Sequence, residues 1–102
     1  MSIKSPDKSR ERRAELTKQA TADILRALTV DRRFRQTVIA RNSGISRTHL
    51  RSLLRGEKQM SVFIFLELSE ALGFDDACQL LRSVLDRRDR RLRDDAEQQI
   101  PR

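Results

Sequence analysis

Apolar residues recur every three to four positions along most of the chain, and this spacing predicts a succession of helices. Leu16, Ala20, Ile24 and Leu28 lie four residues apart and predict a first helix with one buried face. The rhythm stops at the charged segment "TVDRRF", so we expect a connection at about residues 29–35. Because alternating apolar and polar positions are lacking, the sequence predicts no strands.

Glycines and small polar residues divide the rest of the chain into short helices. Gly44, Gly56 and Gly73 each follow an apolar segment and are placed to end the second, third and fourth helices. Residues whose side chains accept hydrogen bonds from backbone amides precede the next apolar segments. The predicted N-caps of the third, fourth and fifth helices are Ser46, Ser61 and Asp75.

The third predicted helix has two unlike faces. Leu50, Leu53 and Leu54 share one face and are candidates for the core. The opposite face is polar and contains no acidic residue. Its residues are Arg47, Thr48, Arg51, Ser52 and Arg55.

The fourth and fifth helices supply the remaining candidates for burial. These are Val62, Phe65, Leu66, Leu68 and Leu72 in the fourth helix and Ala77, Leu80, Leu81, Val84 and Leu85 in the fifth. A helix that buries so many residues must turn Phe63 or Ile64 outward. Cys78 lies beside the apolar stripe, which predicts a reduced and mostly buried thiol. The chain is therefore predicted to be all-α, with five helices.

Positive charge is concentrated around the third helix. The chain has 22 Lys and Arg residues against 15 Asp and Glu, a net charge of +7. Residues 29–60 have eight basic and two acidic residues, a net charge of +6, whereas residues 61–102 have a net charge of −2. A local positive field favours a polyanionic partner, either nucleic acid or an anionic membrane. The longest apolar run, at residues 62–66, is too short to span a bilayer. We expect no membrane partner and, from the single cysteine, a cytoplasmic location.

Residues 36–55, "QTVIARNSGISRTHLRSLLR", resemble the helix-turn-helix of the Xre/Cro-type family of phage and bacterial repressors. The likeness lies in Gln36 at the start, Ala40 between the helices, Gly44 and Ile45 in the turn, and leucines beneath. It extends over about residues 16–86, although Arg35 stands where the family has Ser or Thr. The resemblance implies a five-helix lambda-repressor-like domain that binds double-stranded DNA.

The same resemblance implies a role for individual side chains. Those expected to read base edges are Ser46, Arg47, Thr48, His49, Arg51 and Ser52. Those expected to bind phosphates are Gln36, Arg33, Arg41, Arg55 and Lys58. For Arg47 a phosphate contact is the alternative, and for Gln36, His49 and the other basic residues the alternative is simple exposure to solvent. His49 has no second histidine or cysteine near it in sequence, so we expect no metal, no cofactor and no catalytic site.

The sequence predicts three segments and a dimeric regulator. Residues 1–15 form a basic segment that can include the start of the first helix, residues 16–86 the DNA-binding domain, and residues 87–102 a charged helical extension. Candidate dimer contacts are Phe63, Ile64 and Leu92. We expect a repressor, bacterial or phage-encoded and associated with the nucleoid, that binds a palindromic operator as a homodimer. The alternatives are an antitoxin or adaptor that binds a protein such as a toxin, and non-specific coating of nucleic acid.

Overall fold

Five α-helices account for the regular structure of the residues that the structure describes. A computed structural model describes residues 8–31 and 35–98, and that part of the chain contains no strand. The helices are α1 (Lys8–Asp31), α2 (Gln36–Ser43), α3 (Arg47–Leu54), α4 (Val62–Ala71) and α5 (Ala77–Gln98). The prediction of an all-α chain is confirmed. None of these helices combines the length and apolar character needed to cross a bilayer.

The first helix is longer than its apolar stripe. The connection predicted at residues 29–35 is wrong in its first part, because α1 continues to Asp31. Thr29 donates from Oγ1 to the carbonyl oxygen of Leu25 over 2.7 Å, a bond made within the helix, and Val30 is 78% exposed. Bonds within the helix therefore continue α1 beyond Leu28, the last residue of its apolar stripe. Arg33, predicted to bind phosphate, lies outside the described residues.

The main core cluster is built by one face from each of the first four helices, and α5 adds Leu80 and Val84 to the buried residues. Its fully buried members come from α1 (Leu25), α2 (Ile39), α3 (Leu50) and α4 (Leu68 and Leu72). Half-buried side chains from the ends of helices and from the turns close its edges; these are Leu28, Ile45, Met60, Ile64 and Phe74. Burial of each large apolar side chain contributes about 1.5–3 kcal/mol, so this cluster holds the short helices in place.

The apolar surfaces of α4 and α5 are only partly buried. Val62 is 76% exposed and Leu66 49%, contrary to the prediction that both are core residues, and Leu81 and Leu85 are also exposed. The reason is that α4 is apolar almost all round, while only one side of it can face the core. Cys78 is exposed too, so the prediction of a buried thiol is wrong.

The start of α5 is capped by Asp76 and not, as predicted, by Asp75. An Asp76 carboxylate oxygen accepts from the backbone N–H of Cys78 at 2.9 Å. The same carboxylate accepts a hydrogen bond from the Cys78 thiol and thereby raises the pKa of that thiol. At neutral pH, Cys78 is therefore a weak nucleophile.

The second half of α5 lies along α1 and is joined to it by charged groups. Asp23 of α1 accepts from Arg87 at 2.9 Å and from Arg91 at 2.7 Å. About three turns nearer the amino end of α1, Arg12 pairs with Asp95. Three of the charged side chains in this half of α5 therefore fasten the two long helices together.

Asp23 makes the stability of this protein dependent on pH. Partial burial alone would raise its pKa, but hydrogen bonds from Arg87 and Arg91 outweigh burial and lower the pKa below the ordinary value of 3.8. A carboxyl whose pKa is lower in the folded than in the unfolded state stabilises the folded state at pH values above the unfolded pKa. That contribution to stability is lost as the pH falls through the folded pKa.

We predict that Asp23→Asn lowers the free energy of unfolding at pH 7 by about 1–3 kcal/mol, because three arginines, Arg26, Arg87 and Arg91, lose a charged partner. Urea unfolding at a series of pH values measures the effect. The gap between wild type and variant should close below about pH 4, as Asp23 itself becomes protonated. Asp86→Asn, at an exposed carboxyl that makes no ion pair with another described residue, is the matched control. An equal gap at pH 7 and pH 2.5 would contradict this account.

Candidate nucleic-acid interface

A tight turn joins α2 to α3 and determines the angle between them. Gly44 has a φ of 75°, a left-handed conformation that is strained for residues with a side chain. The Gly44 amide donates to the carbonyl of Arg41 at 3.3 Å and the Ile45 amide to that of Ala40 at 3.1 Å. This pair of bonds is a Schellman motif, which satisfies the last carbonyls of α2. The predicted end of α2 is confirmed.

The start of α3 is fixed by its own cap. Ser46 adopts an extended conformation, and its Oγ accepts from the backbone N–H of His49 at 3.0 Å. An N-cap of this kind contributes about 1 kcal/mol to helix stability. The Ser46 hydroxyl still has its proton to donate to another group. The predicted cap is confirmed.

One side of α3 is anchored in the core. Leu50, Leu53 and Leu54 are all buried, each less than a tenth exposed. They pack in the cluster that includes Leu25 of α1 and Ile39 of α2. The leucine side of α3 is therefore enclosed by its neighbours, as the periodicity predicted.

The other side of α3 is open to solvent. The residues predicted to read bases divide into two groups by exposure. The exposed ones are Ser46, Arg47, Thr48 and Arg51, and the half-buried ones are His49 and Ser52. Four of the six are therefore open to contact with a partner.

Exposed cations surround this side of α3. Arg41, Arg47, Arg51 and Lys58 are exposed, and none of them makes an ion pair or side-chain hydrogen bond with another described residue. Arg55 lies 4.0 Å from Glu57, a weak and exposed pair. The described basic residues of this region are therefore left largely without compensating acidic partners.

The amino end of α2 adjoins the same surface. Its N-cap is Arg35, whose side chain makes no capping bond, so the first amides of α2 are capped by no side chain. Gln36, the first residue of the helix, is exposed. Amides at a helix start favour an anionic group nearby.

Two contacts that no local pattern reveals hold α3 in position. Arg26 of α1 donates from Nη1 to the carbonyl oxygen of Leu54 over 2.9 Å, which satisfies a terminal carbonyl of α3. Asp23 holds the same guanidinium at 2.6 Å. After α3, Gln59 donates to the carbonyl oxygen of Ala14 at 2.7 Å. The three-residue spacing of Asp23 and Arg26 indicates an ion pair within α1. The sequence does not indicate that Arg26 also binds the distant carbonyl oxygen of Leu54.

The three candidate dimer contacts differ in their surroundings. Phe63 is 67% exposed, whereas Ile64 packs against the core. Leu92 is half-buried and lies beside Arg12 and Asp95, between α1 and α5. Of the three, Phe63 offers a large apolar side chain to solvent.

No protein-family model matches this chain, and comparisons with curated proteins and with solved structures find no significant match. The described residues also contain no group of three His, Cys, Asp or Glu side chains that could hold a metal ion. A function for this protein is therefore inferred from the geometry and charge of the α2–α3 surface itself.

We predict that the cost of a substitution at Gly44 depends only on how readily the new residue adopts a left-handed backbone conformation. A Cβ added there would have nothing within 4 Å, so the cost is one of conformation and not of space. Gly44→Ala should lower the free energy of unfolding by about 1–2 kcal/mol. Gly44→Asn should cost less, because Asn adopts the left-handed conformation more readily. Thermal or urea unfolding measures both variants, and equal losses would show that some other contact controls the turn.

Proposed function

We propose that this protein binds double-stranded DNA in a sequence-specific manner and represses transcription by occupying an operator. In this proposal α2 and α3 form a helix-turn-helix of the Xre/Cro type within a lambda-repressor-like domain. Repression would follow from steric exclusion of RNA polymerase from the promoter.

The observation that carries the proposal is the division of α3 into two sides. Its leucine side is buried, while Arg47, Thr48 and Arg51 are exposed on the opposite side. An α-helix fits the major groove of B-form DNA, where each base pair presents a distinct pattern of donors and acceptors. A helix anchored by one side and open on the other has the shape and chemistry that this groove requires.

Within the proposed complex, the exposed residues at the start of α3 read the bases. Arg47 offers two donors to O6 and N7 of guanine, and such a bidentate pair contributes about 1–3 kcal/mol of discrimination. Thr48 can present its methyl group to thymine or its hydroxyl to a base edge. Ser46, His49, Arg51 and Ser52 lie beside them and complete the base-reading side.

Residues around α3 supply the phosphate contacts. Arg41 is exposed in the last turn of α2, Arg55 and Lys58 are exposed after the last turn of α3, and Gln36 lies at the amino end of α2. Contacts of this type fix the register of the protein on the duplex but do not read sequence. A homodimer would repeat the set at a second half-site about 34 Å away and so match a palindromic operator.

A protein partner is the second candidate function. The exposed apolar residues of α4 and α5, which include Phe63 and Leu66, favour an antitoxin or adaptor whose main role is to bind another protein. The two functions differ in what the arginine side of α3 contacts.

A titration of labelled genomic and random DNA fragments across a series of salt concentrations tests the proposal. We expect one roughly palindromic sequence to survive competitor DNA, with log affinity falling steeply against log salt. Equal affinity for every sequence would instead support non-specific coating. No binding at moderate salt would support the adaptor.

We predict that Arg47→Ala and Lys58→Ala weaken DNA binding in different ways. Arg47→Ala should lose about 1–3 kcal/mol and relax the preference at one base position. Lys58→Ala should weaken all sequences alike and reduce the salt slope by about one. Arg90→Ala, which removes an exposed charge from α5, is the control and should change neither quantity much. If Arg47→Ala weakens every sequence equally, Arg47 contacts phosphate and not a base.

A further inference from the structure

The start of α4 and the first turns of α5 form an apolar groove at the surface. Val62 and Leu66 line it from α4, and Cys78 and Leu81 line it from α5. All four side chains are exposed. A concave apolar surface on so small a protein indicates an interaction site. We refer to these four residues as the α4–α5 groove.

The segment that contains the α4–α5 groove is acidic, although the whole chain is basic. Residues 60–86 have five acidic residues and one basic residue, a net charge of −4, whereas the chain has a net charge of +7. The acidic residues are Glu67, Glu70, Asp75, Asp76 and Asp86, and the basic one is Arg82. The groove therefore lies in a region whose charge is opposite to that of the α3 surface.

Three of these carboxylates adjoin the groove residues directly. Glu70 follows Leu66 by one turn on the same side of α4. Asp75 and Asp76 immediately precede the first turn of α5, and Asp76 accepts from the backbone N–H of Cys78 at 2.9 Å. That bond lowers the pKa of Asp76, so its carboxylate is charged at neutral pH. Glu70 and Asp75 are exposed, and neither makes an ion pair with another described residue.

The basic residues nearby do not neutralise these carboxylates. Arg82 has Asp86 one turn after it on the same side of α5, so its charge is offset within the helix. The next two arginines of α5 are both paired, one with Asp23 of α1 and one with its neighbour in sequence. Lys58, before α4, is preceded by a glutamate. We refer to Glu70, Asp75 and Asp76 as the acidic rim of the groove.

An acidic rim beside an apolar groove selects a partner by its charge. It repels nucleic acid and anionic membrane surfaces, which are the partners that the net charge of the chain would favour. Every copy of this chain has the same rim, so charge does not draw the groove of a second copy to this one. A helix with apolar residues on one side and lysines or arginines beside them satisfies both features, because its apolar side fills the groove and its cations approach the rim.

We propose that the α4–α5 groove binds a cationic amphipathic helix of another protein. The apolar side chains of that helix enter the groove, and its basic side chains approach the acidic rim. The inference rests on the second candidate function, a protein partner, and names the chemistry of that partner. It does not require DNA binding, because the groove belongs to α4 and α5 and the arginine side to α3.

Fluorescence anisotropy of a labelled peptide, titrated with the full chain without DNA, tests the inference. The probe is a peptide of about 18 residues, long enough to form a helix, with leucines on one side and lysines on the other. A second probe has glutamate in place of every lysine. Because the chain has a net charge of +7, most of its surface repels the lysine peptide and favours the glutamate peptide. We nevertheless expect the lysine peptide to bind at the groove.

Replacement of one groove residue identifies the binding site. Leu81→Gln should raise the Kd of the lysine peptide about tenfold, because an apolar contact is lost. Leu81 is 45% exposed, so the variant should remain folded, which circular dichroism checks. Val30→Gln, at an apolar residue of α1 that is 78% exposed, is the matched control and should leave the Kd unchanged. The Kd of any complex with the glutamate peptide should be the same for Leu81→Gln and wild type.

Neutralisation of the acidic rim tests the role of charge without altering the apolar groove. The double variant Glu70→Gln/Asp75→Asn should raise the Kd of the lysine peptide about tenfold and make it less dependent on salt. Asp94→Asn/Glu97→Gln removes two exposed carboxylates from the second half of α5 and is the matched control. It should change the Kd and its salt dependence much less than the rim variant.

Four results would overturn the inference. The first two are a lysine peptide that does not bind and a lysine peptide whose Kd is unchanged by Leu81→Gln. The third is a glutamate peptide that binds as tightly as the lysine peptide and is weakened by Leu81→Gln. The fourth is a dimer, seen by sedimentation velocity, that Leu81→Gln dissociates, because a second copy would then occupy the groove. A failure of DNA binding would refute the proposed repressor and leave the peptide result standing.

Discussion

The burial of one side of α3 is the constraint on which the rest of this structure depends. A helix of eight residues is too short to be stable alone in water, so its conformation requires packing. Leu50, Leu53 and Leu54 supply that packing, and they can be buried only if the opposite side faces out. The direction in which Arg47 and Arg51 point is therefore a consequence of the core.

The long helices extend this constraint to the end of the described chain. Arg26 binds the last carbonyl of α3 while Asp23 binds Arg26, and Asp23 in turn accepts from Arg87 and Arg91 of α5. A series of polar contacts thus connects the second half of α5 to the end of α3. Where the apolar stripe of α5 is thin, partly buried charges determine how the two helices lie. The charged end of α5 is for this reason joined to the candidate site and not independent of it.

What could be predicted from sequence was local or periodic. The glycine that ends α2 and the serine that caps α3 act through bonds to residues within five positions, so Gly44 and Ser46 were identified correctly. The two sides of α3 followed from a clear 3.6-residue period. Val62, Leu66 and Cys78 were misassigned because α4 is apolar nearly all round, and its packed side depends on the position of α5. Asp75 was predicted as the cap in place of its neighbour Asp76, because two adjacent carboxylates give the same local signal. The contacts of Arg26 and Asp23 join residues 28 to 68 positions apart, which no local pattern specifies.

Positive charge and exposed apolar surface lie on different parts of this chain. Residues 29–60 have a net charge of +6, so two copies brought together through this region would repel each other. Residues 61–102 have a net charge of −2 and include the exposed apolar side chains of Phe63, Leu66 and Leu81. Self-association is thus least opposed through the second half of the chain. The homodimer that we propose for operator binding would leave the arginine side of α3 uncovered in both copies if it formed there, because these apolar side chains and the arginines of α3 belong to separate helices.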